Sequence, residues 1–407
     1  MEKNSKFQDY LKNPNKTKLF LTETTQDEII DVIKKLNPKK SGDIYDISPE
    51  FVCISAKPVA QALAIIVNRS ISEGIFPDKL KTAKVIPLHK GGSVLSVSNY
   101  RPISLLPIFS KIFERLVYNR MIEYIEKNNI LSKNQFGFQK NKSTELAIST
   151  IVSKISNSFE KKDSCYCIFL DFAKAFDTVN HEILLEKLKY YGVNDKAFLW
   201  FKSYLSNRTQ FTKVGDKLSE VGYVKHGVPQ GSVLGPLLFL LYINDITESS
   251  TILQFFLFAD DTTVFYSGKN NINTEKLLNN ELEKVSKWLS ANKLSLNVGK
   301  SNFLHFQYGN SKKEEIKIKI NHKEVEEKCS TKYLGTIIDN KLTWKPHIQY
   351  IKTKLSKSIG MISKIRYFTT DRILSDLYYS FIQSNINYNL LNWSCANNTN
   401  LEPIKKI

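Results

Sequence analysis

Two adjacent aspartates, Asp260 and Asp261, stand between the apolar runs 253–258 and 262–266. Two neighbouring negative charges are costly to bury in such a place unless a positive group meets them. A third carboxylate, Asp171, ends another apolar run. Three such carboxylates could form a site for two divalent ions about 4 Å apart, the arrangement used for phosphoryl transfer. Oxygen ligands of this kind favour Mg²⁺ over Zn²⁺.

The geometry of the aspartate pair depends on the backbone around it. Adjacent residues in a straight strand point to opposite faces, so Asp260 and Asp261 can address one site only if the pair occupies a hairpin turn. Aspartate is also favoured in turns for purely structural reasons. On these residues alone, a plain turn remains the alternative to a metal site.

The elements that must position these carboxylates follow from apolar periodicity and helix-start signals. A strand is predicted over 165–172, and two strands over 253–258 and 262–266 form a hairpin. Helices are predicted over 25–36, 58–72, 112–125, 147–155, 181–191 and 198–206, with an apolar helix containing Pro236. Residues 1–25 are predicted to be a loose lead-in. The order of strand, helices, hairpin, helix and strands predicts an α+β fold.

Charge and size restrict the class of protein. The chain has 407 residues, 42% of them apolar, and carries 58 Lys plus Arg against 40 Asp plus Glu, a formal net charge of +18. This length predicts two or three domains or subdomains. The positive charge favours a polyanionic partner, nucleic acid before membrane, with a merely basic soluble protein as the alternative. The longest apolar stretch, 234–243, is about half of the ~20 residues that a membrane span requires.

The cysteines do not form a recognisable framework. Their number is odd and their spacing scattered, which argues against secreted disulfides or a zinc ribbon and favours a reducing compartment. Cys165 and Cys167 resemble a metal-binding pair, but alternate positions in a buried strand explain them better. The polar N-terminus has no apolar region of a signal peptide.

Six motifs carry a family resemblance. In chain order they are YRPIS at 100–104, QFGF at 135–138, LDFAKAFD at 170–177, GVPQGSVLGP at 227–236, FADD at 258–261 and YLG at 333–335. This ordered set resembles the reverse transcriptases of LINE-type non-LTR retrotransposons, and the Jockey-like group in particular. The resemblance covers about residues 25–395, and the conjunction of six motifs is highly specific.

The resemblance implies a metal site. Asp171, Asp260 and Asp261 match the metal-binding aspartates of the family's palm, and the backbone carbonyl of Phe172 matches an additional ligand. Two Mg²⁺ ions are implied, or Mn²⁺ in their place. One ion would assist attack by the primer 3′-hydroxyl on the α-phosphate, and the other would hold the triphosphate and stabilise the leaving pyrophosphate.

The resemblance also implies a dNTP site. Phe176 matches the aromatic residue that lies under the sugar and excludes a 2′-hydroxyl, although an ordinary core aromatic is the alternative. Gln230 matches a residue near the incoming nucleotide, and Gly231 would permit close backbone approach.

Three basic residues match positions that meet the triphosphate or pyrophosphate. Arg101 and Lys90 fall in the family's fingers segment, where Arg offers a phosphate-matching fork and Lys a point charge. Lys300 matches a lysine that could act as a general acid toward pyrophosphate. For both lysines, a solvated surface residue is the alternative.

The C-terminal part resembles a primer grip followed by a thumb. Tyr333, Leu334 and Gly335 match the strand-turn element that grips the primer end. Isoleucine and leucine then recur at helical spacing, at positions 348, 351, 355, 359, 362 and 365. Residues 341–407 contain ten Lys or Arg and three Asp or Glu, a net charge of +7, which suits a phosphate-tracking surface, with a solvated helix as the alternative.

The predicted architecture is therefore α+β with a right-hand polymerase arrangement of fingers, a palm with an antiparallel sheet, and a helical thumb. We expect an N-terminal helical extension over 1–68, a reverse transcriptase domain of fingers and palm over 69–339, and a basic helical thumb over 340–407 that stops where the family normally continues.

The predicted function is RNA-directed DNA polymerase, with an RNA template, a DNA primer or target and dNTPs as partners and no membrane. The alternative is an inactive retroelement-derived nucleic-acid-binding protein. Endonuclease activity is expected from a missing domain or another chain. The resemblance implies the nucleus, with a cytoplasmic ribonucleoprotein stage.

Overall fold

The computed structural model describes residues 5–269, 273–307 and 316–406, and it shows a mixed α/β protein. The helices are α1 Gln26–Lys34, α2 Pro49–Ile54, α3 Ala56–Glu73, α4 Ile108–Lys127, α5 Thr144–Glu160, α6 His181–Tyr190, α7 Asp195–Leu205, α8 Gly235–Ile243, α9 Thr274–Ala291, α10 Lys345–Ile365, α11 Asp371–Leu377, α12 Ser384–Asn387, α13 Leu390–Trp393 and α14 Asn398–Lys405. The strands are β1 Thr82–His89, β2 Tyr100–Leu105, β3 Ser164–Leu170, β4 Thr209–Val214, β5 Lys217–Leu218, β6 Gly222–Tyr223, β7 Gln254–Phe258, β8 Asp261–Gly268, β9 Asn302–Phe306, β10 Lys319–Ile320, β11 Lys323–Glu324, β12 Glu326–Glu327, β13 Ser330–Tyr333 and β14 Thr336–Asp339. The predicted helices and the hairpin are confirmed, with ends that differ by a few residues.

The chain divides into two compact units, and neither is continuous in sequence. The first unit comprises Met1–Lys133, Ala173–Ser249 and Lys287–Ser295. The second comprises Asn134–Phe172, Ser250–Ser286 and Leu296–Ile407. The boundaries expected after residues 68 and 339 divide the chain by function, not by compactness, and they stay a prediction.

The first unit contains a five-stranded sheet in the order β2-β1-β4-β5, with β6 paired to β4. Strands β1 and β2 form an antiparallel hairpin in which Leu88 lies opposite Arg101, whereas β1 and β4 are parallel. An aromatic cluster fills part of the helical core: the ring of Phe76 lies 5.3 Å from Trp200 and 5.2 Å from Tyr204. This packing holds α7 against the segment that follows α3, and β4 begins a few residues after α7 ends.

The N-terminal segment differs from the prediction of a loose lead-in. The Asn15 amide donates to the Tyr190 carbonyl at 2.9 Å, and the Leu19 amide donates to the Gly192 carbonyl at 2.9 Å. The Leu19 side chain is buried. These bonds hold an extended segment that has no internal periodicity, which is why a search for apolar repeats missed it. Helix α1 then begins as predicted, with the Thr25 side chain accepting from the backbone of Glu28.

The second unit is built around the sheet β12-β9-β3-β8-β7. The central strand β3 is antiparallel to both β8 and β9, and every residue of β3 is buried. The edge pair of β12 and β9 is parallel. Helices α5 and α10 contribute to one hydrophobic core with this sheet. Because β3 is covered on both faces, its sequence is a continuous apolar run rather than an alternating one.

Cys165 and Cys167 lie in β3 and belong to the core that α5 helps to form. Burial raises the pKa of the Cys165 thiol to about 12, so it stays protonated at neutral pH. The interpretation of the two cysteines as alternate residues of a buried strand is confirmed.

Helix α10 confirms the predicted helical spacing but buries a shorter face. Ile348, Ile351 and Leu355 are buried, whereas the isoleucines at 359, 362 and 365 are only half-buried. Across the described ranges, none of the helices combines the length and the apolar character needed to cross a bilayer.

Candidate active site

Two of the three predicted carboxylates meet at one edge of the second unit's sheet. Asp171 directly follows β3, and Asp261 is the first residue of β8. The two strands are antiparallel, with Leu170 opposite Thr262, so the end of one lies beside the beginning of the other. Asp171 and Asp261 consequently line the same cavity, which has a volume of about 110 Å³. We call it the aspartate cleft.

The turn between β7 and β8 differs slightly from the prediction that both aspartates occupy it. Phe258 pairs with Asp261 across the hairpin, so the two turn residues are Ala259 and Asp260. Ala259 adopts a positive φ of 54°. Asp260 therefore lies in the turn, whereas Asp261 belongs to the strand. The strand begins at Asp261, one residue before the apolar run that starts at 262.

Gln135 supports this turn from within the second unit. Its side-chain oxygen accepts hydrogen bonds from the backbone of Gly137 at 2.9 Å and of Ala259 at 3.2 Å. The residue is almost completely buried. Gln135 thus fixes the backbone immediately before Asp260. Sequence reasoning gave it no role, although it opens the QFGF motif.

The backbone on either side of Asp171 is also fixed. The Asp171 amide donates to the Ser301 hydroxyl at 3.1 Å, and the Asp171 carbonyl accepts from the Asn297 amide at 2.8 Å. Phe172 forms an isolated antiparallel bridge with Leu296, and the hydrogen bonds of that bridge are made by the residues flanking Phe172. The Phe172 side chain is buried while its carbonyl takes no part in the bridge.

Asp261 binds a proton more tightly than an ordinary aspartate does. Desolvation by the surrounding protein is the largest cause of the raised pKa of Asp261, about 6, and the charges of Asp260 and Asp171 add to it. The residue nevertheless retains considerable solvent exposure, so its carboxyl lies at a crowded rim rather than in the interior. A bound cation would relieve this repulsion.

The cleft fits a divalent cation that shares its coordination with substrate and water. Within the described ranges, no group of three or more Asp, Glu, His or Cys side chains is assembled closely enough to hold a metal ion by itself. Mg²⁺ is usually held by one or two carboxylates together with waters and substrate phosphates, so a complete protein cage is not needed. Two buried oxygens that belong to the cleft lining, Thr262 Oγ1 and Asn302 Oδ1, have no hydrogen-bond partner in the described part of the chain.

Lys300 and the YLG segment lie at the same cleft. Lys300, Tyr333 and Leu334 all line it. Leu334 and Gly335 form the turn between β13 and β14, both with positive φ. The Tyr333 ring is buried 5.2 Å from the ring of Phe169, and burial raises the pKa of its hydroxyl. Leu334 is half-buried and Gly335 is exposed, so the turn is more accessible than the Tyr333 ring.

The remaining predicted residues belong to the first unit. Phe176 lies in a 3₁₀ turn, Ala175–Asp177, and is half-buried. Its ring stacks on the buried ring of Phe239, with centroids 4.5 Å apart and an interplanar angle of 28°. The ring therefore has one packed face and an accessible part, which suits both the sugar-facing role and the core alternative.

Gln230 and Gly231 are held by strand β2. The Ser104 amide donates to the Gln230 carbonyl at 2.7 Å. Gly231 has a φ of 120°, and a Cβ atom there would lie 2.6 Å from the Ser104 carbonyl oxygen, so only glycine fits. The Gln230 side chain donates to Asp177 Oδ1 at 2.8 Å.

Arg101 and Lys90 lie on the β1–β2 hairpin, and both are exposed. Arg101 is in β2, and Lys90 follows β1 with its amide donating to the Asn99 carbonyl at 2.8 Å. A cavity of about 260 Å³ in the first unit is lined by Gln230 and Asp177, among others. Lys90, Arg101, Phe176 and Gly231 are not in its lining.

A buried carboxylate that sequence reasoning missed holds the end of this loop. Glu114 is fully buried in α4 and accepts from the backbone amides of Val233 at 2.7 Å and Leu234 at 3.0 Å. Burial raises its pKa, and the nearby charge of Arg208 opposes that rise. An acidic residue in an otherwise apolar helix face was the available signal, but its partners lie about 120 residues away in sequence.

Comparison with known proteins gives consistent matches. The family described as reverse transcriptase (RNA-dependent DNA polymerase) matches residues 88–338. The RNA-directed DNA polymerase from mobile element jockey of Drosophila melanogaster is 30% identical over 88% of this chain and 40% of its own length. The probable RNA-directed DNA polymerase from transposon BS of the same fly is 31% identical over 84% of this chain and 38% of its own. The Pol polyprotein from the type-1 retrotransposable element R1 of Bradysia coprophila is 26% identical over 83% of this chain. The chain spans about two fifths of the length of jockey and BS.

Proposed function

The chain belongs to the reverse transcriptase family, and from this premise we propose that it is an RNA-directed DNA polymerase that extends a DNA 3′-hydroxyl with dNTPs. One observation carries the proposal. The LDF and FADD motifs converge on the aspartate cleft, where burial and the charges of Asp260 and Asp171 raise the pKa of Asp261 to about 6. A site in which neighbouring negative charges repel one another is suited to a reaction that brings cations and phosphates together.

Asp171, Asp260 and Asp261 are the proposed holders of two Mg²⁺ ions, or of Mn²⁺ in their place, with the Phe172 carbonyl as an additional oxygen. When bound, the two ions would supply activation of the attacking hydroxyl and stabilisation of the leaving pyrophosphate. The chain's own part is to present ionised carboxylates on fixed backbone, which Gln135 and Ser301 support.

Lys300 is the proposed proton donor to pyrophosphate. It lines the cleft together with Asp171 and Asp261, so its ammonium group can reach the same ligand. A lysine at this position would also attract the triphosphate by charge alone. Both effects would favour departure of an anionic leaving group.

The nucleotide itself is proposed to meet residues of the first unit. Phe176 would contact the sugar and disfavour a 2′-hydroxyl, while Gln230 and Gly231 would lie beside the nucleotide. Arg101 and Lys90 would bind the triphosphate, since both are exposed and basic on one hairpin.

We propose names for the elements on the same basis. The β1–β2 hairpin belongs to the fingers, strands β3, β7, β8 and β9 to the palm, and α10 with the helices after it to the thumb. The Leu334–Gly335 turn, rather than the buried Tyr333 ring, is the part of the primer grip that contacts the primer. The boundaries 1–68, 69–339 and 340–407 are proposed for the extension, the polymerase domain and the thumb.

The proposed partners are an RNA template and a DNA primer or target. Endonuclease activity is proposed to come from another domain or another chain, and the site of action to be the nucleus after a cytoplasmic ribonucleoprotein stage. Both of these proposals derive from the family and not from a signal in the sequence.

Primer extension tests the function directly. Purified chain is given an RNA template, an annealed DNA primer, four dNTPs and Mg²⁺, and products are sized on a gel. We expect template-dependent extension that EDTA abolishes and excess Mg²⁺ restores. Binding of the primer-template without any extension, in Mg²⁺ or in Mn²⁺, would instead favour the nucleic-acid-binding protein.

A further inference from the structure

Asp177 follows Phe176 in the 3₁₀ turn, and its carboxylate accepts a hydrogen bond from Gln230 Nε2 at 2.8 Å. We propose that Asp177 is a positioning residue, which fixes the orientation of the Gln230 amide toward the incoming nucleotide. This inference rests on the proposed polymerase function and adds a determinant of dNTP affinity to it.

Asp177 and Gln230 differ in the hydrogen bonds that their side chains can make. An ionised carboxylate only accepts hydrogen bonds, whereas a glutamine amide has one accepting end and one donating end. Asp177 therefore selects the amide orientation in which Nε2 of Gln230 faces the carboxylate. The side-chain oxygen of Gln230 and its second N–H then have defined directions and can bond to a ligand. Without such a partner, the two orientations of an amide are nearly equivalent in shape.

Backbone contacts show that the side-chain bond is part of a larger junction. The Val228 amide donates to the Phe176 carbonyl and the Gly227 amide donates to the Val179 carbonyl, both at 2.8 Å. A Cβ atom on Gly227 would lie only 2.7 Å from the Asp177 carbonyl oxygen. The loop that carries Gln230 is thus in direct backbone contact with the turn that carries Asp177. Because both ends are fixed, the hydrogen bond between their side chains is pre-organised.

Asp177 lies in a partly buried place with positive charges nearby. Burial raises its pKa, while the bond from Gln230 and the positive charges of Lys174 and Lys90 oppose the rise. Asp177, Gln230 and Lys174 line one cavity, so the pair is at a concave surface that a ligand can enter. The same short turn therefore places the Phe176 ring and orients the Gln230 amide.

The test is a double-mutant cycle of Asp177→Asn and Gln230→Ala, with the double variant. Asparagine has nearly the shape of aspartate but can donate or accept, so both amide orientations of Gln230 become available. We expect Asp177→Asn to raise the KM for dNTP by about tenfold, the scale of one hydrogen bond, with little change in kcat or melting temperature. In the Gln230→Ala background the same substitution should change KM less than twofold.

Two controls complete the design. Asp195→Asn changes an exposed aspartate of the same unit that pairs with Lys18, and it should leave KM unchanged. The cycle is also measured by equilibrium binding of a fluorescent dNTP, which needs no turnover. A parent chain that neither extends primers nor binds the dNTP would count against the proposed function. If the parent is active and the two substitutions are additive in KM and in binding, Asp177 does not act through Gln230 and the inference is overturned.

Discussion

The aspartate cleft and the Gln230 loop are built on opposite principles. In the cleft, carboxylates repel one another, and the buried oxygens of Thr262 and Asn302 lack partners among the described residues. Around the loop, polar groups are paired: Gln230 is bound through its carbonyl to the Ser104 amide and through its side chain to Asp177. The first region is unsatisfied until a ligand arrives, whereas the second is already ordered.

Under the proposed function, this difference assigns a separate contribution to each region. Like charges that face a cleft raise the free energy of the protein alone, and bound cations lower it, so the cleft would supply affinity for metal and phosphate. A loop that is already held by hydrogen bonds loses little entropy when a ligand binds, so it would supply orientation and selectivity. Four predictions test this contrast, in order of expected effect.

The largest effect is expected for Asp260→Ala. Removing one carboxylate from the cleft should lower the extension rate by more than ~10³-fold, because several kcal/mol of charge stabilisation depend on the bound ions. Binding of RNA should stay largely intact, since it depends on lysines and arginines distributed over the chain. Asp216→Ala is the matched control, an exposed aspartate in the hairpin turn between β4 and β5. Extension by Asp260→Ala within tenfold of the parent would contradict the metal-site assignment.

Acid should inactivate the enzyme through the cleft. With a pKa of about 6, Asp261 becomes protonated below that pH, and a neutral carboxyl holds Mg²⁺ poorly. We expect the extension rate to fall about tenfold per pH unit below pH 6. Raising the Mg²⁺ concentration should move the midpoint to lower pH, because the cation competes with the proton. A midpoint that does not respond to Mg²⁺ would assign the acid loss to another group.

The selectivity of the first unit is tested by Phe176→Val. A smaller side chain under the sugar should raise incorporation of rNTP relative to dNTP, on the order of tenfold, without abolishing dNTP use. Loss of the stack on Phe239 will also lower stability, so thermal melting is measured alongside. Phe198→Val is the control, because Phe198 is another half-buried phenylalanine of this unit, on α7. An unchanged nucleotide ratio in a folded variant would make Phe176 a core residue only.

The smallest effect concerns stability of the metal-free protein. The folded-state pKa of Asp261, about 6, lies above its ordinary value of 3.8, so the folded state binds its proton more tightly than the unfolded state does. Stability contributed by this proton is fully present below pH 4 and is lost as the pH rises through 6. We expect Asp261→Asn to melt at a slightly higher temperature than the parent at pH 7.5, but not at pH 4. Added Mg²⁺ should narrow the gap at pH 7.5 by stabilising the parent.

Much of the fold could be predicted because its signals are local. Thr25 caps α1 with Glu28 three residues later, and β3 is an uninterrupted apolar run. Each signal lies within a few consecutive residues. The prediction of a loose N-terminal segment was wrong because the signals that order this segment are not local. Its order depends on single bonds from Asn15 and Leu19 to residues about 175 positions away, and no periodicity records such bonds.

The candidate site divides in the same way. The motifs identified Asp171, Asp260 and Asp261 by residue type and order, and they placed Gln230 in a glycine-containing loop. They did not indicate that Gln135 supports the aspartate turn or that Glu114 anchors the end of the loop. The acidic type of Glu114 on a buried helix face marks it as unusual, but nothing in the sequence identifies the distant partners of either residue.

The sequence by itself determined the family, the motif order, the carboxylate chemistry and the positive charge, because each depends on residue identity and near neighbours. Only the tertiary structure decided which oxygens face one another. Burial and the charge of Asp260 account for most of the raised pKa of Asp261, and Asp171, 90 positions away, adds to it because the register of β3 and β8 brings the two residues to one edge. Asp177 meets Gln230 across 53 positions because the backbone of its turn bonds to the backbone of the Gln230 loop. Strand register and backbone contact are set by the packing of the whole unit, and no short segment of sequence contains that information.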